Sequence, residues 1–186
     1  MDKEEIKEIE NRIPQPMSDA DLERYSGVKD SDIIKYSELK NYNTIEDVLP
    51  TDKSFKIILI EEKYNNGHFV AIMRYNKTIE FFNSYGGKPD ADWKFVNRMM
   101  RIILGEGTNE LTRLFKQAKQ DGWDTIYNTT QFQKLSSKVN TCGRWAVLRI
   151  EMMRMGYNLE QFTDFIHTQK KKLGKPYDFV VAKFIK

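Results

Sequence analysis

The sequence predicts an α+β fold, a central antiparallel sheet packed by helices, and three observations carry that reading. Residues 55–83 hold three consecutive strand-like runs separated by turn residues. Apolar residues at helical spacing recur on both sides of that block. The single cysteine, Cys142, opens a long amphipathic stretch.

Each element has a local cause. Ile6, Ile9 and Ile13 predict a helix over residues 3–12, broken by Pro14 and Pro16. Ser18 N-caps a second short helix, with Leu22 and Tyr25 inward and Gly27 after it. Ser31 caps a short turn, and residues 44–49 form a brief helix that ends at Pro50. Residues 55–60 are rich in β-branched side chains and read as a buried strand. Asn65-Asn66-Gly67 is turn chemistry. His68 to Arg74 and Thr78 to Asn83 are the next two strands, joined by a hairpin at 75–77, so the three form an antiparallel meander.

Residues 91–104 read as a helix with Trp93, Val96, Met100 and Ile103 on one side. Residues 108–120 read as another, with Leu111, Leu114, Phe115 and Ala118 inward, and 125–133 as extended. From Cys142 to Met155 the apolar face is broad: Ala146, Ile150 and Met153, widened by Val147 and Met152, which suits a helix packed into the core. A further helix starts near Asn158, turns Phe162, Phe165 and Ile166 inward, and runs into lysines 170, 171, 172 and 175. Residues 177–185 form a last apolar element. No repeat or Gly/Ser linker interrupts the chain, so residues 1–186 read as one domain with a helical region at 1–50 and a core at 55–155.

Composition narrows the function classes. With 40% hydrophobic and 12% aromatic residues, the chain can bury a core without staples. One cysteine permits no internal disulfide and points to a reducing compartment. The highly charged start, Met1-Asp2-Lys3-Glu4-Glu5, reads as no secretory signal, and no apolar run is long enough for a membrane span. A net charge of +3 is not that of a dedicated nucleic-acid binder. The cluster of Lys170, Lys171, Lys172 and Lys175, read as lying away from the catalytic elements, leaves a DNA contact open. Two histidines and one cysteine, widely separated, make no metal site, and no phosphate-binding glycine loop calls for a cofactor. The chain is read as a monomer.

The chemistry-bearing residues follow from spacing. A thiol at a helix N-terminus feels the positive end of the macrodipole, so Cys142 is a candidate nucleophile. Gly143 is expected to leave room for a substrate carbonyl beside the sulfur. His68 begins one strand and Asn83, fifteen residues on, ends its neighbour, so the hairpin brings them side by side. In this reading His68 is the base. Asn83 accepts from Nδ1–H and leaves Nε2 to face the sulfur. His167, 25 residues after Cys142, is placed on a helix surface. An oxyanion needs donors: the Cys142 N–H is one, and a side-chain amide from Gln131 or Gln133 is the other, with Gln133 preferred as the nearer. The two glutamines alternate with Phe132 and are expected to share a face.

These segments, namely Gly67-His68-Phe69-Val70-Ala71-Ile72, Phe82-Asn83-Ser84-Tyr85-Gly86, Gln133 and Thr141-Cys142-Gly143, resemble the adenovirus endopeptidase, adenain. They also resemble the clan that joins it to SUMO-specific proteases and to the maturation proteases of large DNA viruses and virophages. The likeness covers about residues 55–155. It implies a papain-like α+β fold of the adenain type, with the nucleophile helix packed on the sheet. It implies peptide hydrolysis at glycine-containing sites, with His68 as base, Asn83 orienting, Cys142 as nucleophile and Gln133 as oxyanion donor. It also implies capsid precursors as substrates and the virion or the cytoplasmic virus factory as the setting. Three positions depart from the pattern: Phe69 replaces tryptophan, Asn83 replaces an acid, and nine residues separate Gln133 from Cys142. With Cys142 as nucleophile, no cysteine remains for a disulfide-linked activator. The alternatives are a protease removing ubiquitin-like modifiers and a non-enzymatic nucleic-acid-binding module.

Overall fold

The computed structural model describes residues 1–25, 27–91 and 97–186. Five strands lie in the order β1-β2-β3-β4-β5: Ile33–Lys35, Phe55–Lys63, Asn66–Tyr75, Thr78–Phe82 and Asp124–Tyr127. The meander β2-β3-β4 is antiparallel, as the three runs predict. The edges differ from that expectation. β1 runs parallel to β2, and β5 runs parallel to β4, so the sheet is mixed. β1 spans three residues, too few to show a strand period. Only the start of the 125–133 segment pairs.

Both faces of the sheet are covered, and the side chains divide by alternation along each strand. Ile57, Ala71, Met73 and Phe82 face helices α6 (Cys142–Arg154), α7 (Leu159–Leu173) and α8 (Tyr177–Phe184) through Trp145, Ile150 and Phe162. Ile58, Val70, Ile72 and Phe81 face α5 (Glu110–Gln120), α3 (Ile45–Val48) and a 3₁₀ segment at Tyr36–Asn41. The broad apolar face of α6 is explained by its position: ten of its residues are buried. Residues 177–185, left open by the sequence, fold as α8, and Phe179 and Ala182 there pack on Ile9 of α1 (Lys3–Arg12). A capping box between Ser18 and Asp21 starts α2 (Asp19–Leu22), and Thr44 caps α3.

The 91–104 helix is found as α4, Arg98–Ile103, where Met100 and Ile103 are exposed. Trp93 and Val96 lie outside the described residues.

One buried ion pair fixes α6 on the sheet. Arg149 donates through Nε and Nη2 to the two oxygens of Glu80 on β4, at 2.8 and 2.7 Å, and neither side chain is exposed. Tyr75 Oη donates to the same carboxylate at 2.5 Å. Such a two-pronged contact has one geometry, so it sets where α6 stands along β4.

Candidate active site

The site forms where β3 begins and β4 ends. Gly67 lies opposite Glu61 in the ladder, and a Cβ there would stand 1.9 Å from the Ile60 carbonyl oxygen, so only glycine fits before His68. Pairing of β3 with β4 stops at Ala71 opposite Phe82. His68 and Asn83 are therefore not ladder partners, although the expected contact between them is made.

Asn83 is held by its backbone. Asn128, just past β5, accepts from the Asn83 N–H at 2.9 Å and donates to its carbonyl at 2.6 Å. A turn then closes with the Gly86 N–H on the Asn83 carbonyl at 2.8 Å. With the backbone clamped, the Asn83 Oδ1 accepts from the Tyr85 N–H at 3.0 Å and stands 2.8 Å from His68 Nε2. Oδ1 can only accept, so Nε2 carries the proton and Nδ1 is the nitrogen left for the thiol. This corrects the sequence reading, which gave Nδ1 to Asn83. The Tyr85 ring stacks on the imidazole, with centroids 4.5 Å apart. Asn128 and Tyr85 were not read from the sequence; the only signal for Tyr85 was its place in the turn after Asn83.

Cys142 is the first residue of α6 and is half-buried. Its thiol is hydrogen-bonded to His68, and the N–H groups of Phe69 and Gly143 also point at the sulfur. Burial is the largest single influence and opposes ionisation. The His68 hydrogen bond, the imidazolium charge and the two N–H groups outweigh it and hold the thiol below its ordinary value. The residue before it is braced from α8: Thr141 Oγ1 donates to Asp178 Oδ1 at 2.6 Å. Gly143 has a different role from the expected one. A Cβ there would meet Met17 Cβ at 3.1 Å, so the space is filled by the N-terminal segment and is not open to substrate.

The two glutamines separate. Gln133 is buried, and Gln131 is exposed. They do not share a face because the segment is not a strand: the N–H groups of Phe132 and Gln133 both donate to the Ser84 carbonyl. Gln133 Oε1 accepts from Ser84 Oγ at 2.7 Å, and its Nε2 donates to Tyr85 Oη at 3.3 Å and to the Val139 carbonyl at 3.2 Å. Gln133 thus stands at the Tyr85 end of the site, with its amide protons occupied by protein groups.

His167 is exposed on α7 against Tyr177, as its spacing from Cys142 predicts. The lysine cluster differs from expectation. Lys175 pairs with Glu10 at 3.0 Å, and Lys170 lines the same pocket as Gln133. Lys170 therefore stands beside the 131–134 segment, whereas the groove at Cys142 has none of these four lysines in its lining.

A groove of about 850 Å³ opens at Cys142, lined by Ile33, Leu59 and Phe69 of the sheet and by Met17 and Gly67. Among the described residues no group of three or more His, Cys, Asp or Glu is placed to hold a metal ion, and no helix is long and apolar enough to cross a membrane. A thiol of lowered pKa, an imidazole hydrogen-bonded to it and a fixed amide on the far side of the ring are an arrangement capable of thiol acyl transfer.

No family model matches the chain, and no solved structure matches it significantly. Over 136 residues it is 35% identical to an uncharacterized protein, V9, of Sputnik virophage, covering 72% of this chain and 75% of that one. By that likeness the chain belongs to the family of the Sputnik virophage protein V9.

Proposed function

We propose that this protein is a cysteine endopeptidase of the adenain type that cleaves capsid precursors at glycine-containing sites during virion maturation. The observation that carries the reading is a single imidazole joined on one side to Asn83 and on the other to the only thiol in the chain. Packing of the thiol-bearing helix on the β2-β3-β4 meander, the lowered thiol and the motif order support it. Kinship with a virophage protein supports the viral setting.

In the proposed reaction Nδ1 of His68 takes the thiol proton and the sulfur attacks the scissile carbonyl. The oxyanion forms beside the Cys142 N–H, a first-turn group with no partner inside its own helix. Gln133 joins it only after its Nε2 releases Tyr85 or Val139. The imidazolium gives its proton to the departing amine as the C–N bond breaks. Water then attacks the thioester, with His68 again the base, and frees the acid and the thiol. Throughout, Asn83 keeps the ring from rotating away from the sulfur.

The test is incubation with virion precursor proteins, followed by mass spectrometry of new termini. New termini in the presence of the wild type, absent with Cys142→Ala and blocked by a peptide aldehyde, are expected. Intact precursors with fully folded wild-type protein would reject the reading.

A further inference from the structure

We propose that a trough running from Gln133 to the last turns of α7 receives acidic side chains of the polypeptide substrate on the amine side of the scissile bond. The proposal rests on the endopeptidase reading.

Direction comes first. The departing amine must lie at His68, which protonates it, so that part of the substrate leaves past Tyr85, whose ring covers the imidazole. Tyr85 Oη is 3.3 Å from Gln133 Nε2. Gln133 in turn lines a pocket of about 220 Å³ with Lys134, Lys170 and Tyr177. Lys170, Pro176 and Tyr177 also line a second pocket of about 490 Å³ that adds Lys171. The shared residues make the two pockets neighbours on either side of Lys170, Pro176 and Tyr177. This trough is distinct from the groove at Cys142. That groove is lined by β1, β2, the start of β3, the 16–21 segment and residues 140 and 142, whereas the trough is lined by residues 131–134 and 167–178. The groove at Cys142 and the trough beside Gln133 share no lining residue, so they can take different parts of one chain.

Charge selects the occupant. Among the described residues Lys134, Lys170 and Lys171 form no ion pair, and Lys170 Nζ lies 4.3 Å above the Tyr177 ring. The one acid in the lining, Asp178, accepts from Thr141 Oγ1 and the Lys134 N–H and is offset by the Lys134 charge, which leaves Lys170 and Lys171 as the uncompensated cations. Lys175, at the rim, is already neutralised by Glu10. A short cationic depression, linked to His68 through Gln133 and Tyr85, fits a few carboxylates of an extended peptide. Duplex DNA draws its affinity from many phosphate contacts along an extended basic surface, which three lysines do not make.

The experiment uses two internally quenched peptides with the same glycine-containing site, followed by three glutamates in one and three glutamines in the other. Wild-type protein should cleave the glutamate peptide at low salt with a KM roughly 3- to 10-fold lower and an unchanged kcat, the scale of two or three exposed ion pairs. High salt, or Lys170→Gln with Lys171→Gln, should erase the difference while the glutamine peptide is cleaved as before. Binding of the same peptides to Cys142→Ala, followed by fluorescence anisotropy, should show the same preference without turnover. Equal KM and equal affinity for the two peptides at low salt would overturn the proposal, as would a preference that survives in the double variant. Duplex DNA that binds the wild type but not the double variant, with no discrimination between peptides, would assign the trough to nucleic acid and overturn it too. If neither peptide is cleaved but Cys142→Ala still prefers glutamate, the endopeptidase reading fails and the acidic-peptide trough stands.

Discussion

His68 turns Nε2, not Nδ1, toward Asn83, with that nitrogen 2.8 Å from Oδ1. The amide oxygen also accepts the Tyr85 N–H, so it cannot swing away without breaking two bonds. Asn83 therefore sets both the tautomer and the tilt of the base. Removing it leaves Cys142 and His68 in place but lets the ring rotate.

Asn83→Ala should lower kcat/KM about 10- to 100-fold, the worth of one hydrogen bond to a charged group. Asn83→Asp should retain or raise activity and move the alkaline limb of the pH profile upward, because a carboxylate favours the imidazolium. Full pH profiles of both variants check this. A wild-type rate in the alanine variant would return Asn83 to a purely structural turn residue.

Cys142→Ala should abolish peptide cleavage with the fold intact, and His68→Ala should cost about 10²–10⁴-fold. His167→Ala should leave activity near wild type, since that ring rests on Tyr177. Alkylation by iodoacetamide gives a readout independent of substrate. Its rise with pH should begin below the range of a free thiol in the wild type and move up in His68→Ala, because the hydrogen bond and charge that favour thiolate are gone. An unmoved profile would mean that His68 does not activate the sulfur.

Glu106 should make stability fall as pH rises. Its carboxyl is pushed up to about 7, chiefly by burial, with the Glu61 charge adding to the effect. The Glu61 N–H, which donates to Oε1 at 3.0 Å, and the nearby charges of Arg101 and Lys35 act the other way. The folded value lies above the unfolded one, so the native state holds the proton more tightly. This contribution is complete below the ordinary carboxyl range and is lost as pH rises through about 7. Glu106→Gln, which imitates the neutral acid, should match the wild-type Tm in mild acid and exceed it in mild alkali. Parallel Tm curves for the two proteins would refute the assignment.

The Arg149–Glu80 pair predicts a non-additive pair of substitutions. Arg149→Met strands a buried carboxylate and should cost about 3–5 kcal/mol in urea unfolding. Arg149→Met combined with Glu80→Met removes both charges and should cost less than the single change. A double variant as unstable as the sum of the singles would show that the two side chains act independently.

Local chemistry was legible wherever neighbours in sequence decide the outcome. The spacing of Ile6, Ile9 and Ile13 predicts α1, Ser18 and Thr44 cap the helices they were read to cap or begin, and the meander follows from three runs and their turns. Cys142 needed only its N-terminal position in α6, and His68 and Asn83 only the hairpin that brings the start of β3 near the end of β4, although the ladder itself stops at Ala71 and Phe82.

What the sequence determined by itself was thus the α+β class, the antiparallel meander, and the choice of Cys142, His68 and Asn83 as the residues that meet at one site. Tertiary structure decided the parallel edge strands, the choice of Nε2 over Nδ1 and the burial of Gln133 apart from Gln131. It also decided the clamp on Asn83 from Asn128 and the meeting of Lys170 with Gln133 in one pocket. The physical reason is that periodicity and capping act over about one turn or one hairpin. Hydrogen bonds such as Asn128 to Asn83, and the packing of Met17 on Gly143, form only after chain segments 45 or more residues apart are brought together by the two cores.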